Sequence, residues 1–373
     1  MSLVDTLLQT GAKALTLHRF PRRRNETLRA WDGADRYLLQ QRLAQHNTPL
    51  LVVNDDFGAL ALAAGEGTHH WNDSWLSWHS WHENGRVNQQ STSDDFWHWP
   101  FAALPEVKEV WLKVPKELAL FTLQLHRLTS ELPAGVPIYL AWLDKHIPTR
   151  LLELARIYLA GVELLPGRFK AHGLCGVSRG KAVQPLAYPT EVQVPQLPLP
   201  LLSHAGVFAQ QQLDIGSRFL LAHLPAKRTG NIVDLACGNG VLGLVAAQQN
   251  PQAHLYFADE SWLALQSAKE NWQRLFPQRK AHFLHGNGLV GWQGKADMVL
   301  LNPPFHSGHT VDAKIAGAMF RQVANKLAQE GECWVVGNQH LGYERLLKRH
   351  FTQVTQVGEH PKFTIFRTSG AKQ

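Results

Sequence analysis

The stretch Asn231-Ile-Val-Asp234-Leu-Ala-Cys-Gly238-Asn-Gly240 decides the fold. An apolar run ending in a glycine loop, then a helical stretch to Gln249, reads as a buried strand, a sharp turn and a helix. Glycines directly after a buried strand let the backbone turn tightly and approach a ligand more closely than a Cβ permits. Further β-rich runs follow at His254–Ala258, Ala281–Leu284, Met298–Leu301 and Glu332–Gly337. A helix is expected over Gly342–Arg349, then hairpin strands near Thr352–Val357 and Lys362–Thr368. This alternation predicts an α/β fold: a mostly parallel sheet with helices on both faces. In such sheets the ligand sits at the carboxyl ends of the strands, near the point where strand order reverses.

Every candidate residue falls at such a strand end. A Gly-x-Gly loop suits both NAD and S-adenosylmethionine (SAM). Upstream Asp234, with no third glycine at dinucleotide spacing, favours SAM over Gly238 and Gly240. Asp259 ends the next strand, where a carboxylate can accept hydrogen bonds from both ribose hydroxyls; adjacent Glu260 could take that role, and either could be a plain helix cap. Asn287, after the third strand, could bond the adenine edge or simply serve the turn.

The strongest motif is Asn302-Pro303-Pro304-Phe305, directly after an apolar strand. An amide nitrogen or ring-conjugated amine is a poor nucleophile, because its lone pair is delocalised. Two acceptors, the Asn302 side-chain oxygen and the Pro303 carbonyl, can hold its N–H bonds and aim the lone pair at a methyl carbon. Pro304 stiffens the loop and Phe305 offers a flat face for stacking. Catalysis of this kind is mostly positioning, which supplies about 7–11 kcal/mol of a barrier. No strong base is needed, so His306 and His309 are not required as bases.

The chain also repeats itself. Leu50–Asn54 running into Asp55-Asp56-Phe57-Gly58 parallels the strand and loop above, with a helical stretch to Ala64. Trp71–Leu76 parallels Ala258–Leu263, Glu83-Asn84 parallels Glu270-Asn271, and Lys113-Val-Pro-Lys116 stands where Asn302–Phe305 stands. Ordered matches at similar spacing argue for a duplicated unit. The expected division is 1–185, a proline-rich linker over 186–205 with an edge strand near Glu191–Val194, and 206–373. The first copy lacks the full glycine loop and the acceptor, so it is expected to have lost cofactor and chemistry.

Net charge is +7 with a pI of about 9.3, which favours a polyanionic partner. The surplus is only two before residue 185 and five after it, so any nucleic-acid footprint must be local. Lys113, Lys116, Arg22, Arg23 and Arg24 are the candidate phosphate contacts of the first copy. Trp71, Trp75, Trp78 and Trp81 recur at helical spacing and read as core packing rather than a base-stacking platform. His79 and His82 lie one helical turn apart without a ligand set around them, and three scattered cysteines make neither a disulfide framework nor a zinc site. No metal is expected. With no apolar targeting segment or membrane-length run, the expected location is the cytoplasm.

With these motifs in place, the chain resembles the class I, Rossmann-like, SAM-dependent methyltransferases that carry Asn-Pro-Pro-aromatic. More narrowly it is similar to the bacterial ribosomal RNA guanine-N2 methyltransferases. Those share Asn-Pro-Pro-Phe-His, as in Asn302–His306, and a segment seen here as Val207-Phe208 and Leu213-Asp214-Ile215-Gly216-Ser217. The resemblance covers almost the whole chain and is nearest the large-subunit (23S) branch. It implies two tandem Rossmann-like methyltransferase domains, the N-terminal one degenerate. It implies SAM as cofactor, with Phe208, Asp214, Gly216 and Ser217 closing over it, and guanine N2 of 23S rRNA as the target. One departure is Ala236, where glycine is common; alanine is expected to be tolerated unless the position needs positive φ. The alternatives are a 16S rRNA enzyme, a protein-glutamine N5 methyltransferase, a DNA adenine-N6 methyltransferase and a non-enzymatic RNA-binding assembly factor.

Overall fold

The computed structural model describes residues 5–11, 13–23, 26–146, 150–304 and 309–372. The chain divides into two compact units, Met1–Tyr188 and Pro189–Gln373. The first holds strands β1 (Leu50–Val53), β2 (Thr68–Trp71), β3 (Trp97–His98), β4 (Glu109–Lys113), β5 (Pro137–Leu143), β6 (Ala160–Arg168) and β7 (Ala171–Val177). The second holds β8 (Gly230–Leu235), β9 (Ala253–Asp259), β10 (Ala281–His285), β11 (Ala296–Leu301), β12 (Leu327–Asn338), β13 (Phe351–Glu359) and β14 (Phe363–Ala371).

The two sheets have one topology. Their orders are β3-β2-β1-β4-β5-β7-β6 and β10-β9-β8-β11-β12-β14-β13, five parallel strands followed by an antiparallel pair. The order reverses between β1 and β4 and between β8 and β11, where ligand sites form in such sheets. Central strands are buried on both faces, which is why Leu50-Leu-Val-Val53 and Ile232-Val-Asp-Leu235 read as nearly unbroken apolar runs. Each sheet is flanked by two apolar clusters, one per face.

Hydrogen bonds repeat the duplication more faithfully than the residues do. Ser74 and Ser261 cap equivalent helices, Trp75–Val87 and Trp262–Leu275, by accepting from Ser77 N and Ala264 N. Asn84 and Asn271 lie wholly buried on those helices. Asn84 bonds both backbone groups of His18 and the Phe57 carbonyl. Asn271 bonds both backbone groups of Leu202 and the Asn239 carbonyl. One asparagine in each unit thus ties an upstream segment to the loop after the first central strand.

Within 186–205, expected as a linker with an edge strand near Glu191–Val194, residues 190–203 are built into the second unit. Thr190–Val192 pairs antiparallel with Leu201–Ser203, and Val192, Val194, Leu197 and Leu201 enter the core beside Ile232. Prolines shape its turn and ends, while the apolar residues between them supply the burial.

Candidate active site

The glycine loop leaves β8 through Ala236, whose φ is +56°. Alanine therefore sits in the left-handed region at the one departure from the family pattern, a position where an L side chain is strained. Its counterpart in the first unit, Asn54, has φ +62°. Gly238 and Gly240 follow at φ +55° and +85°. A Cβ on Gly240 would lie 3.0 Å from Ala268 Cβ, whereas one on Gly238 would meet nothing within 4 Å. Gly240 is thus a packing glycine, and Gly238 faces open space.

Asp259, at the end of β9, straps this loop. Its Oδ2 accepts from Gly238 N at 3.0 Å and its Oδ1 from Ser261 N at 3.0 Å. Burial raises its carboxyl above the ordinary range, although those N–H groups pull it back. Asp234 lies beneath the loop, wholly buried. Its Oδ2 accepts from Gly243 N at 2.8 Å, its Oδ1 has no partner among the described residues, and burial pushes its carboxyl up to about 8. The Glu260 backbone carbonyl meets His285 Nε2 at 3.0 Å, so that nitrogen carries the proton; burial lowers the imidazole to about 4. Asn287 lies two residues beyond β10, in the turn where its carbonyl accepts from Val290 N.

Asn302 follows β11, with Pro303 buried and Pro304 exposed. Its Nδ2 donates to Asp214 Oδ2 at 3.1 Å and Ser217 Oγ at 2.9 Å, residues more than 80 positions upstream. Its Oδ1 is buried and has no partner among the described residues. Asp214 is itself the N-cap of the helix Ile215–Leu221, accepting from Ser217 N at 2.9 Å. Phe208 is 45% exposed. Phe305 and Arg24 lie outside the described residues. Gly238 with Asp259, and Asn302 with Asp214 and Ser217, are the groupings that folding creates. The grip on Asn302 was not read from sequence, because nothing local links positions 214 and 302.

The first unit corrects the reading of Lys113 as a phosphate contact. Lys113 is buried, with Nζ 2.9 Å from Asp35, 3.3 Å from Asp56 and 3.8 Å from Asp32. An ammonium enclosed by three carboxylates is already neutralised and has no free face for RNA. Because β1 pairs β4 as β8 pairs β11, Lys113 holds the position of Asn302 and Asp56 that of Gly238. Asp55 also accepts from Ala59, Leu60 and Ala61 N, filling the helix N-terminus with the chain's own anion. Lys116, Arg22 and Arg23 are exposed. Trp71 and Trp81 are core residues, whereas Trp75 and Trp78 are half-buried. No group of three or more potential metal ligands occurs among the described residues, and no helix among them is long and apolar enough to cross a membrane.

Strand order, glycine loop and Asn302-Pro303-Pro304 together define a class I, Rossmann-like methyltransferase. Residues 198–367 match the methyltransferase small domain family and residues 5–173 the RLMG N-terminal domain family. Ribosomal RNA large subunit methyltransferase G of Alcanivorax borkumensis is 42% identical, with 95% of each chain covered. The protein of the same name from Stutzerimonas stutzeri is 40% identical over 97% of this chain and 99% of its own. The chain belongs to the ribosomal RNA large subunit methyltransferase G family. A T. thermophilus 16S rRNA N2 G1207 methyltransferase, solved with AdoMet and guanosine, shares the fold across both units. Its TM-score is 0.76 at 18% identity, covering 98% of this chain and 97% of that one.

Proposed function

We propose that this chain transfers the methyl group of SAM to the exocyclic N2 of a guanine in large-subunit (23S) ribosomal RNA. The observation that carries the reading is the buried Asn302 Oδ1, an acceptor with no partner among the described residues, whose own amide N–H groups are already engaged. A guanine amine donating to it, with the Pro303 carbonyl as second acceptor, would present its lone pair to the methyl. The open face of Gly238 and the Asp259 carboxylate beside it suit the cofactor's amino-acid and ribose parts, with Glu260 and Asn287 next along the same rim. Bound SAM supplies a methyl carbon made electrophilic by its sulfonium. The amine becomes acidic only as the new N–C bond forms, so its proton passes to solvent without a dedicated base. Phe305 would stack the extruded base, recovering about 1–3 kcal/mol of unstacking.

Residues 206–373 carry catalysis in this reading. The unit formed by 1–185 holds RNA through exposed cations such as Lys116, Arg22 and Arg23, and the protein works in the cytoplasm. The test is methyl transfer from radiolabelled SAM to unmodified 23S RNA, 16S RNA and assembled subunits. Label in 23S RNA that digests to N2-methylguanosine, and falls about 100–1000-fold with Asn302→Ala, is the expected result. SAM binding with no labelled RNA would overturn the RNA assignment and turn attention to a protein glutamine.

A further inference from the structure

We infer that Asp214 and Ser217 are positioning residues for the transfer, locking the Asn302 amide so that only its carbonyl can meet the amine. This rests on the reading of Asn302 as the acceptor. An asparagine amide has two faces of nearly equal shape, and turned over it would offer N–H bonds to an amine that itself needs acceptors. A serine hydroxyl cannot fix the choice, because it can donate to Oδ1 or accept from Nδ2. A carboxylate can only accept. Asp214 Oδ2, 3.1 Å away, therefore compels the nitrogen to face it, and Ser217 Oγ at 2.9 Å takes the second N–H. Asp214 is held in turn by the helix it caps. A Cβ at position 216 would lie 3.1 Å from that same Oδ2, so Gly216 leaves the carboxylate its room.

The first unit carries the same clamp with different chemistry. Asp32 caps the helix Gly33–Arg42 and Asp35 stands at its third position, as Asp214 and Ser217 do on theirs. Both reach the residue at the carboxyl end of β4, Lys113, which holds the position of Asn302. Where the gripped group is a cation, both jaws are carboxylates. Where it is a neutral amide whose orientation matters, one jaw is a carboxylate and the other a hydroxyl.

The resemblance to the family assigns Asp214 to cofactor binding, and the two roles separate experimentally. Asp214→Asn keeps a side chain that can cap the helix but lets it present N–H to Asn302 Oδ1. A misplaced reacting group costs about 100-fold, so kcat is expected to fall about 10–100-fold while the SAM Kd, measured calorimetrically, stays within about 2-fold. Ser217→Ala, which leaves the cap intact, should lose less. Because both act through one residue, Asn302→Ala/Asp214→Asn should be no slower than Asn302→Ala alone. A weakened SAM Kd, unchanged kcat in Asp214→Asn, or additive losses in the double variant would overturn the clamp. Full activity in Asn302→Ala would remove the acceptor reading first, and the clamp with it.

Discussion

Replacing Lys113 with methionine tests whether the first unit's cleft is closed by charge. Methionine nearly keeps the stem's volume, so the change isolates the ammonium. Its partners are unequal: the Asp56 and Asp32 side chains are 57% and 38% exposed, that of Asp35 only 2%. Exposed partners are released to water at little cost, so the loss falls on Asp35. Stranding one member of a buried ion cluster costs about 3–5 kcal/mol. The pH dependence gives the sign. Burial already raises the Asp35 carboxyl well above its ordinary range, against the pull of Lys113, and without the ammonium it rises further. A carboxyl raised in the folded state binds protons there that the unfolded chain has released. Stability therefore falls as pH climbs from about 4 towards the folded value, by up to about 1.4 kcal/mol per unit. In the wild type, burial opposes the charge on Lys113, but Asp35, Asp56, Asp32 and Asp55 outweigh it and raise the ammonium well above the lysine range. Its contribution is thus complete at neutral pH and lost only as pH rises through that raised value. Urea unfolding followed by tryptophan fluorescence reads this unit, which holds nine of the 13 tryptophans. The variant should be clearly weaker at about pH 8 and partly recovered at about pH 5. A loss below about 1 kcal/mol at the higher pH, or a greater loss at the lower, would refute the reasoning, and Lys113→Met/Asp35→Leu should regain most of the deficit.

Two more predictions concern the glycine loop. Ala236→Gly relieves a left-handed alanine worth about 1–2 kcal/mol against about 0.5–1 kcal/mol of added chain entropy; a melting temperature higher by a few degrees is expected, and a lower one would contradict the strain. Gly238→Ala and Gly240→Ala should fail differently. Both lie at positive φ, so either alanine costs about 1–2 kcal/mol of left-handed strain; the Gly240→Ala methyl also meets Ala268 and should lower thermal stability further, whereas Gly238→Ala should add a loss of SAM binding by calorimetry. Equal effects of the two on both measurements would remove the distinction between packing and ligand faces.

Much of this was legible in the residues. Apolar runs ending in glycines, and the pairs Ser74-Trp75 with Ser261-Trp262 and Asn84 with Asn271, marked the strands and the duplication because each depends on local periodicity or on a cap. Asn302-Pro303-Pro304-Phe305 stood out because the motif is complete within four residues. Lys113 was misread for the opposite reason: a lysine's partners are set by folding, and Asp32, Asp35 and Asp56 lie 57 or more positions upstream. The segment 190–203 was read by its prolines, while its fate followed from Val192, Val194, Leu197 and Leu201 finding a core to enter.

By itself, then, the sequence determined two α/β units of one design, where the glycine loop and its first-unit counterpart fall, and which of the two carries Asn-Pro-Pro after its fourth strand. Periodicity, turn chemistry and short motifs act over a few residues, so one dimension is enough to read them. Only the tertiary structure decided which polar groups meet. Asp214 reaches Asn302, Asp259 reaches Gly238, and Lys113 is enclosed by carboxylates because parallel strands bring their carboxyl ends to one edge and, in each unit, a helix sets its N-terminus against that edge, where separation along the chain no longer measures distance.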